Sequence, residues 1–506
     1  METNVTGSHE QYSNKFFGHP RGLATLFFTE MWERFSFYGM RGILVLYMIA
    51  AMTGFNKGMG MSSEKATAIY GLYMMSVYLF SLPGGWVADK ILGLRKSVWY
   101  GGILIACGHF SMAIPTNQTF FLGLVLIVLG TGLLKPNVSS MVGGLYANDS
   151  GARRDAGFSI FYMGINLGAM IAPLVCGYLG ENVNWHYGFG AAGVGMLIGL
   201  IQYKVTDKYL GDIGLEVEKD PHVKDHDAKL KKNKRTLYIV VGIIAVIVFA
   251  ALVGILPINP VLVGNWSIAI LLFVFLFYFT YLLVFSDLDP KEKKKVGAII
   301  ILSIFSVIFW FGAEQAGSSL NIFADVYTHR TFFGWLMPAS WLQSVNPAFI
   351  IIFAPIFGWL WVWLNKRNLE PSSPVKFAMG LILLGAGFFV MVIAAEVAMA
   401  HMKASVVFLV TYYLLETFGE LSLSPVGLST VTKLAPKRLV GQMMGIWFLS
   451  TGLAEILAGR FAGNFNQHDV HMMPHLFTIV VVIGAGSGIL LLLISKPVRK
   501  LMQDVH

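Results

Sequence analysis

Apolar residues in this chain gather into long runs, most of them near or above the ~20 residues needed to cross a bilayer. Short charged or Pro/Gly-rich breaks divide them. The runs predict spans near 23–52, 67–88, 97–114, 119–143, 156–179 and 186–204, then a charged loop over 205–235. Two further spans follow near 236–256 and 262–285, and six more near 297–323, 344–364, 375–397, 404–431, 440–463 and 475–495. The first run, 23–52, departs from the pattern because it also holds Glu30, Glu33, Arg34 and Arg41. A 3.6-residue period puts these four on one stripe with Tyr38. An ionisable group near a bilayer centre costs roughly 2.5–3.5 kcal/mol, so four unpaired ones would cost on the order of 10 kcal/mol. Such a stripe must face a polar cavity or partner charges, and its default reading is a substrate or ion pathway.

Composition supports the membrane reading. Apolar residues make up 56% of the chain and charged ones 13%, against about 25% in a soluble domain, and the mean hydropathy is +0.65. The basic residues give the sidedness. Assigning alternate loops to one side collects 29 of the 37 Lys and Arg there, among them the nine between Lys204 and Arg235. The opposite loops hold only Lys57, Lys65, Arg330 and Lys403, while Arg34, Arg41, Lys135 and Arg460 fall within spans. Positive residues favour the cytoplasmic face, so both termini are expected in the cytoplasm. That bias accounts for the net charge of +9. The run from Lys229 to Arg235 is read as a solvated inside loop rather than a headgroup site, and nothing further suggests nucleic acid. Cys107 and Cys176 lie in apolar runs and offer neither a disulfide framework nor a metal-site spacing. No leader cleavage pattern precedes the first span, so it is expected to remain.

Six spans, a charged loop with two more, then another six describe an all-α polytopic membrane protein of 14 transmembrane helices. The expected domains are a six-helix bundle over 1–207, a linker with two inserted helices over 208–295, and a second bundle over 296–506. After the second span, Gly85-Trp86-Val87-Ala88-Asp89-Lys90-Ile91-Leu92-Gly93-Leu94-Arg95-Lys96 resembles the loop signature of the major facilitator superfamily. Buried charge recurs at Lys135 in span four, at Glu314 in Trp310-Phe311-Gly312-Ala313-Glu314-Gln315, and at Glu416 and Glu420 one turn apart. Buried pairs are poor stabilisers, because desolvation can exceed the Coulomb gain. A carboxylate that alternates between a base and a proton is instead what proton coupling requires. Glu455 and Arg460 read as an interfacial pair without a direct part in transport. Prolines fall within spans at Pro83, Pro136, Pro173, Pro355 and Pro425; Pro136 beside Lys135 and Pro425 beside Ser424 are candidate hinges, although proline is also common in membrane helices. No HExxH or GxSxG motif points to an intramembrane enzyme.

Several motifs together resemble the proton-dependent oligopeptide transporters. Glu30-Met31-Trp32-Glu33-Arg34-Phe35-Ser36-Phe37-Tyr38-Gly39 is similar to that family's ExxERFxYY motif, and Phe161-Tyr162-Met163-Gly164-Ile165-Asn166-Leu167-Gly168 to its FYxxINxG signature. The Lys135 segment, Trp310 to Gln315, and Gly419-Glu420 with Ser424-Pro425-Val426-Gly427 match in order, so the resemblance covers essentially the whole chain. Phe37 departs from the family's first tyrosine, and span two lacks the histidine of animal members; His109 in span three reads as a packing residue.

The resemblance implies a major facilitator fold and a proton-coupled symporter of di- and tripeptides. It would work by alternating access as a monomer, multi-pass in the lipid of the bacterial inner membrane, with protons as coupling ion and no cofactor, metal or nucleic-acid partner. It further implies that Arg34 and Lys135 take the peptide carboxylate, while Glu420 with Asn166 and Asn346 takes the ammonium. Tyr38, Tyr78 and Ser424 would contact the peptide, and Trp310 and Trp447 would line side-chain pockets. Glu30, Glu33 and Glu314 would carry protons. Arg41 with Glu314, and Lys135 with Glu420, would form gating salt bridges. Nitrate carriers of the same family have no use for an acidic pole at Glu420, and a sensor built on this fold has no use for the complete charge set.

Overall fold

The breaks between apolar runs carry the helix-starting chemistry. Asp289 caps its helix from Glu292 N–H and Glu292 reaches back to Asp289 N–H, with Pro290 in the first turn, where a missing donor costs nothing. Asn259 before Pro260 accepts from Val261 and Leu262 N–H at the start of the preceding helix, and Asp225 accepts from Ala228 N–H. A computed structural model describes residues 14–147, 149, 151–215, 217, 225–465 and 470–503. Lys219 and Lys224 of the basic loop lie outside the described residues, as do both extreme termini on which the sidedness expectation bears.

The helices in the first part of the chain are α1 (Arg21–Ile49), α2 (Ser63–Val87), α3 (Leu94–Met112), α4 (Asn117–Leu145), α5 (Gly151–Ala172), α6 (Tyr178–Asn182) and α7 (Trp185–Thr206). Next come α8 (His226–Leu252) and α9 (Pro260–Val284), then α10 (Pro290–Ala313), α11 (Ser319–Tyr327), α12 (Val345–Lys366), α13 (Ser373–His401), α14 (Val406–Leu434), α15 (Val440–Ala462), α16 (Met473–Leu493) and the short amphipathic α17 (Ser495–Met502). Among the described residues, strands are confined to short pairs: β1 (Asn14–Phe16) with β2 (His19–Pro20), β3 (Thr328–His329) with β6 (Ala404–Ser405), and β4 (Thr331–Phe332) with β5 (Trp335–Leu336).

Among the described residues, eleven helical segments are long and apolar enough to cross a membrane. The three remaining expected spans fall on α1, α3 and α15, each diluted by polar residues. The run 297–323, unbroken in sequence, is folded in three pieces: α10, a 3-10 turn over Glu314–Gly317, and α11. Helices run on through Pro83, Pro136, Pro355 and Pro425, whereas Pro173 opens a π turn over Pro173–Gly177 that leads into α6.

The chain divides into two units, 1–43 with 79–258 and 44–78 with 259–506. Within the first, Gly101 and Gly130 let α3 and α4 meet backbone to backbone, since a Cβ on either would lie 2.7 or 2.6 Å from the other's carbonyl oxygen. The second repeats this device. A Cβ on Gly380 of α13 or Gly419 of α14 would lie 2.9 or 2.8 Å from the other's carbonyl. Small residues at crossings are how membrane helices approach closely without a hydrophobic driving force. The two inserted helices differ. No residue of α8 is buried, and it touches α4 and the π turn Ala88–Leu92. By contrast α9 buries a stripe from Gly264 through Leu271, Phe275 and Phe279 to Leu282 and packs on α15.

Candidate functional site

In the first unit, the α1 charges turn on each other. Arg34 Nε donates to Glu30 Oε1 at 3.0 Å, the i, i+4 neighbour, and Glu33 Oε2 lies 2.5 Å from the same nitrogen. All three residues are at most 3% exposed. Glu33 Oε1 is buried without a hydrogen bond, so its second oxygen keeps an open lone pair. Lys135 on α4 stands close enough for its charge to act on Glu33. The Arg34 guanidinium also sits 5.3 Å from the centre of the Phe37 ring, and Arg41 sits 5.5 Å from that of Tyr38. The residue that departs from the family's tyrosine is therefore buried beside Arg34, while Tyr38 keeps a half-exposed position.

Glycines set this geometry. A Cβ on Gly168 would fall 2.2 Å from the Met31 carbonyl oxygen and 3.1 Å from Arg34 Cβ, and one on Gly164 would meet Phe27 at 2.9 Å. The Gly164 and Gly168 of the span-five signature are thus what seats α5 on α1 at the Arg34 turn. Asn166 between them donates Nδ2 to its own helix at Tyr162 O, 3.0 Å away, which leaves its carbonyl oxygen as the atom able to accept from an ammonium. Near Lys135, Pro136 lacks the N–H that would serve the carbonyl of Gly132. A Cβ on Gly84 of α2 would lie 1.9 Å from that same oxygen, so the Gly84 Cα–H groups face the carbonyl that proline leaves unserved. At the end of the loop signature, Arg95 Nε donates to Ile213 O at 2.7 Å, a second Arg95 nitrogen binds Gly211 O, and Arg95 N–H donates to Gly214 O at 3.0 Å.

In the second unit an acidic cluster forms around one amide. Asn346 Nδ2 lies 2.6 Å from Glu416 Oε2, 3.1 Å from Thr417 Oγ1 and 3.2 Å from Glu420 Oε2. The charge of Glu314, at the break between α10 and α11, acts on Glu420. Gln315 fastens that break: its Nε2 donates to Phe311 O and Ala458 O at 3.3 Å, and Ser319 donates to its Oε1 at 2.6 Å. The sequence motifs assign no role to Thr417, Gln315 or Glu416; the i, i+1, i+4 spacing of Glu416, Thr417 and Glu420 on one helix face is the available signal. Trp447 is buried on α15 against Gly427, whose Cβ would meet the indole at 2.8 Å. Trp310 packs edge-on to Phe309 and is half-buried, as are Tyr78 and Ser424.

The expected pairing of Glu455 with Arg460 is replaced by another. Arg460 Nε donates to Asn265 Oδ1 of α9 at 2.9 Å, and its Nη2 lies 3.6 Å from Glu64 Oε1. Gly264 clears the way for the arginine, since a Cβ there would be 3.0 Å from Arg460 Cδ. Toward the other end of α9, Tyr278 donates to Gln442 Oε1 at 2.7 Å, so two hydrogen bonds splint α9 along α15. Among the described residues no cluster of His, Cys, Asp and Glu is arranged to hold a metal ion.

Comparison with known proteins supplies the context. The family model described as the POT family matches residues 95–479. The chain is 42% identical over 514 residues to the peptide transporter YePEPT of Yersinia enterocolitica, with 99% of each covered. It is 40% identical over 501 residues to a di-/tripeptide transporter of Lactococcus lactis, covering 97% of this chain and 98% of that one. A crystal structure of a peptide transporter POT, a glutamate-to-glutamine mutant in complex with alafosfalin, superposes with a TM-score of 0.87 at 38% identity, covering 99% of this chain and 100% of the other.

Proposed function

This chain belongs to the POT family of peptide transporters, and from that premise we propose that it imports di- and tripeptides by proton-coupled symport. It is a multi-pass membrane transporter and not an enzyme. The observation that carries the reading is a pair of charged clusters of opposite use: the buried Glu30, Glu33 and Arg34 in one unit, and the partly buried Asn346, Glu416 and Glu420 in the other. A peptide is a zwitterion with fixed end charges. Arg34 and Lys135 are the cations for its carboxylate, and Glu420 with Asn346 and the carbonyl of Asn166 is the acceptor set for its ammonium. Tyr38, Tyr78 and Ser424 supply hydroxyls to the backbone, while Trp310 and Trp447 supply apolar walls.

The charge balance gives a reason for coupling. With all groups ionised, Glu30, Glu33, Arg34 and Lys135 sum to zero. A peptide carboxylate arriving at Arg34 and Lys135 leaves one negative charge in excess, in a setting where an uncompensated charge is expensive. One proton on Glu30 or Glu33 restores neutrality, and Glu314 has the same use beside Glu420. The gating pairs are those the motifs imply, Arg41 with Glu314 and Lys135 with Glu420. Fourteen transmembrane helices, cytoplasmic termini, a bacterial inner-membrane location and action as a monomer complete the proposal. Dialanine uptake by purified protein in liposomes, under an inward proton gradient and with an internal pH dye, tests it. Accumulation with matching acidification is expected; uptake without acidification overturns the proton, and no uptake overturns the substrate.

A further inference from the structure

The segment joining two membrane spans holds a feature that transport does not use. Between Pro290–Tyr327 and Ala339–Lys366 the chain makes a tight hairpin, β4 paired with β5 through Phe332 and Trp335, so that Phe333 and Gly334 form a two-residue turn. Both have positive φ, +52° and +82°, the signature of a type I′ turn. Asn or Asp normally fills the first of these positions; a phenylalanine there is a genuine outlier. Its ring is fully exposed, and Phe332, Trp335 and Leu336 beside it are 41%, 42% and 49% exposed.

The base of the hairpin is held firmly. Arg330, 5% exposed, bonds Asp325 Oδ1 at 2.6 Å and Asp325 O at 3.0 Å and also binds Met337 O, while Met337 N–H returns to Arg330 O at 2.9 Å. The Trp335 ring lies 5.2 Å from that of Trp341. Neither local preference nor core packing accounts for four apolar side chains on a strained, well-anchored tip. An apolar partner outside the chain does.

We propose that this hairpin is an interfacial anchor whose tip, Phe333 with Phe332, Trp335 and Leu336, inserts into the headgroup layer of the bilayer beside spans α10–α11 and α12. Reach supports this occupant. Phe333 is six residues from Tyr327, the last residue of the span Pro290–Tyr327, at most about 20 Å of extended chain, which brings the headgroup layer within reach of the tip. Chemistry supports it too, because Trp and Phe are the side chains that membrane interfaces collect. The same hairpin pressed against a second copy, or standing in water, would need a different explanation for its composition.

The test uses the full chain in lipid nanodiscs with Cys107→Ala and a nitroxide on Thr331→Cys, an exposed position within the hairpin. Relative accessibility to oxygen and to a water-soluble nickel chelate reports depth. The label is expected at headgroup depth in the parent and at a water-like value after Phe333→Asn with Trp335→Ser. Asn suits positive φ, so the variant should fold at least as stably in detergent, and its melting checks this. Water-like accessibility in the parent, or the same depth in both proteins, overturns the anchor. Dipolar coupling between labels on two copies also overturns it, in favour of a self-contact.

Discussion

Gly168→Ala is the sharpest test of how the site is built. The added methyl would sit 2.2 Å from the Met31 carbonyl oxygen, over 1 Å inside ordinary contact, and 3.1 Å from Arg34 Cβ. Both neighbours belong to α1 and one is backbone, so no side chain can swing aside. Helix α5 must then retreat by about 1 Å along one turn. Overpacking of this kind costs about 1–3 kcal/mol, and the retreat occurs where Arg34 holds Glu30 and Glu33. Displacements near 1 Å at a reacting or binding group cost up to about 100-fold. Gly85→Ala is the control: it lies in a helix, nothing stands within 4 Å of its Cβ position, and alanine there is expected to be neutral or stabilising by about 0.5–1 kcal/mol. Melting of the purified proteins, followed by intrinsic fluorescence, and dialanine uptake read both effects. If Gly168→Ala melts with the parent and transports normally, α5 is not seated on α1 as described, and the argument from glycine contacts fails.

Further outcomes follow from the charge clusters and the splint. Glu33→Gln or Arg34→Lys should abolish proton-driven accumulation; normal gradient-driven uptake in either would remove that residue from the coupling set. Asn346→Leu strips one amide from two carboxylates and should weaken dipeptide binding by about 10-fold or more, at about 1.5–3 kcal/mol for a hydrogen bond to a charged group, measured by dipeptide-induced thermal protection. Asn265→Ala with Tyr278→Phe frees α9 from α15 and should lower stability by about 1–3 kcal/mol, read as earlier thermal melting, without touching any substrate contact. In the loop before α13, partial burial favours the neutral form of Glu370, yet hydrogen bonds from Lys376 and Asn365 outweigh it and hold the carboxyl below the usual range. A depressed carboxylate stabilises above its unfolded value and loses that contribution as pH falls through the folded one. Glu370→Gln should therefore lower stability at pH 7 slightly, by about 1 kcal/mol or less because the carboxylate is open to solvent, and its melting should converge with the parent's in acid.

Membrane helices explain why some of this was legible from sequence and some was not. The spans follow from apolar length alone, and the Glu30–Arg34 contact follows from i, i+4 geometry inside one helix, which needs no tertiary partner. Motif order singles out Lys135, Glu314 and Glu420, and the family resemblance adds Asn346, all without knowledge of a contact. What lay beyond reach was how each helix is rotated. A helix in lipid is apolar on its outer face as well as its inner one, so its pattern does not say which side meets protein. That is why α9 could not be told from α8 by hydropathy, although one buries a stripe along α15 and the other buries nothing. For the same reason Arg460 turned to Asn265 and Glu64 rather than to Glu455. The break at Glu314–Gly317 leaves no mark in the pattern because the run stays apolar through it, and the bond from Gln315 that fastens it ends on Ala458 of α15, more than a hundred residues away. Length, charge and local spacing belong to the sequence; the partners of Asn346, the seat of α5 on α1 and the exposed turn at Phe333 were decided only when distant helices met.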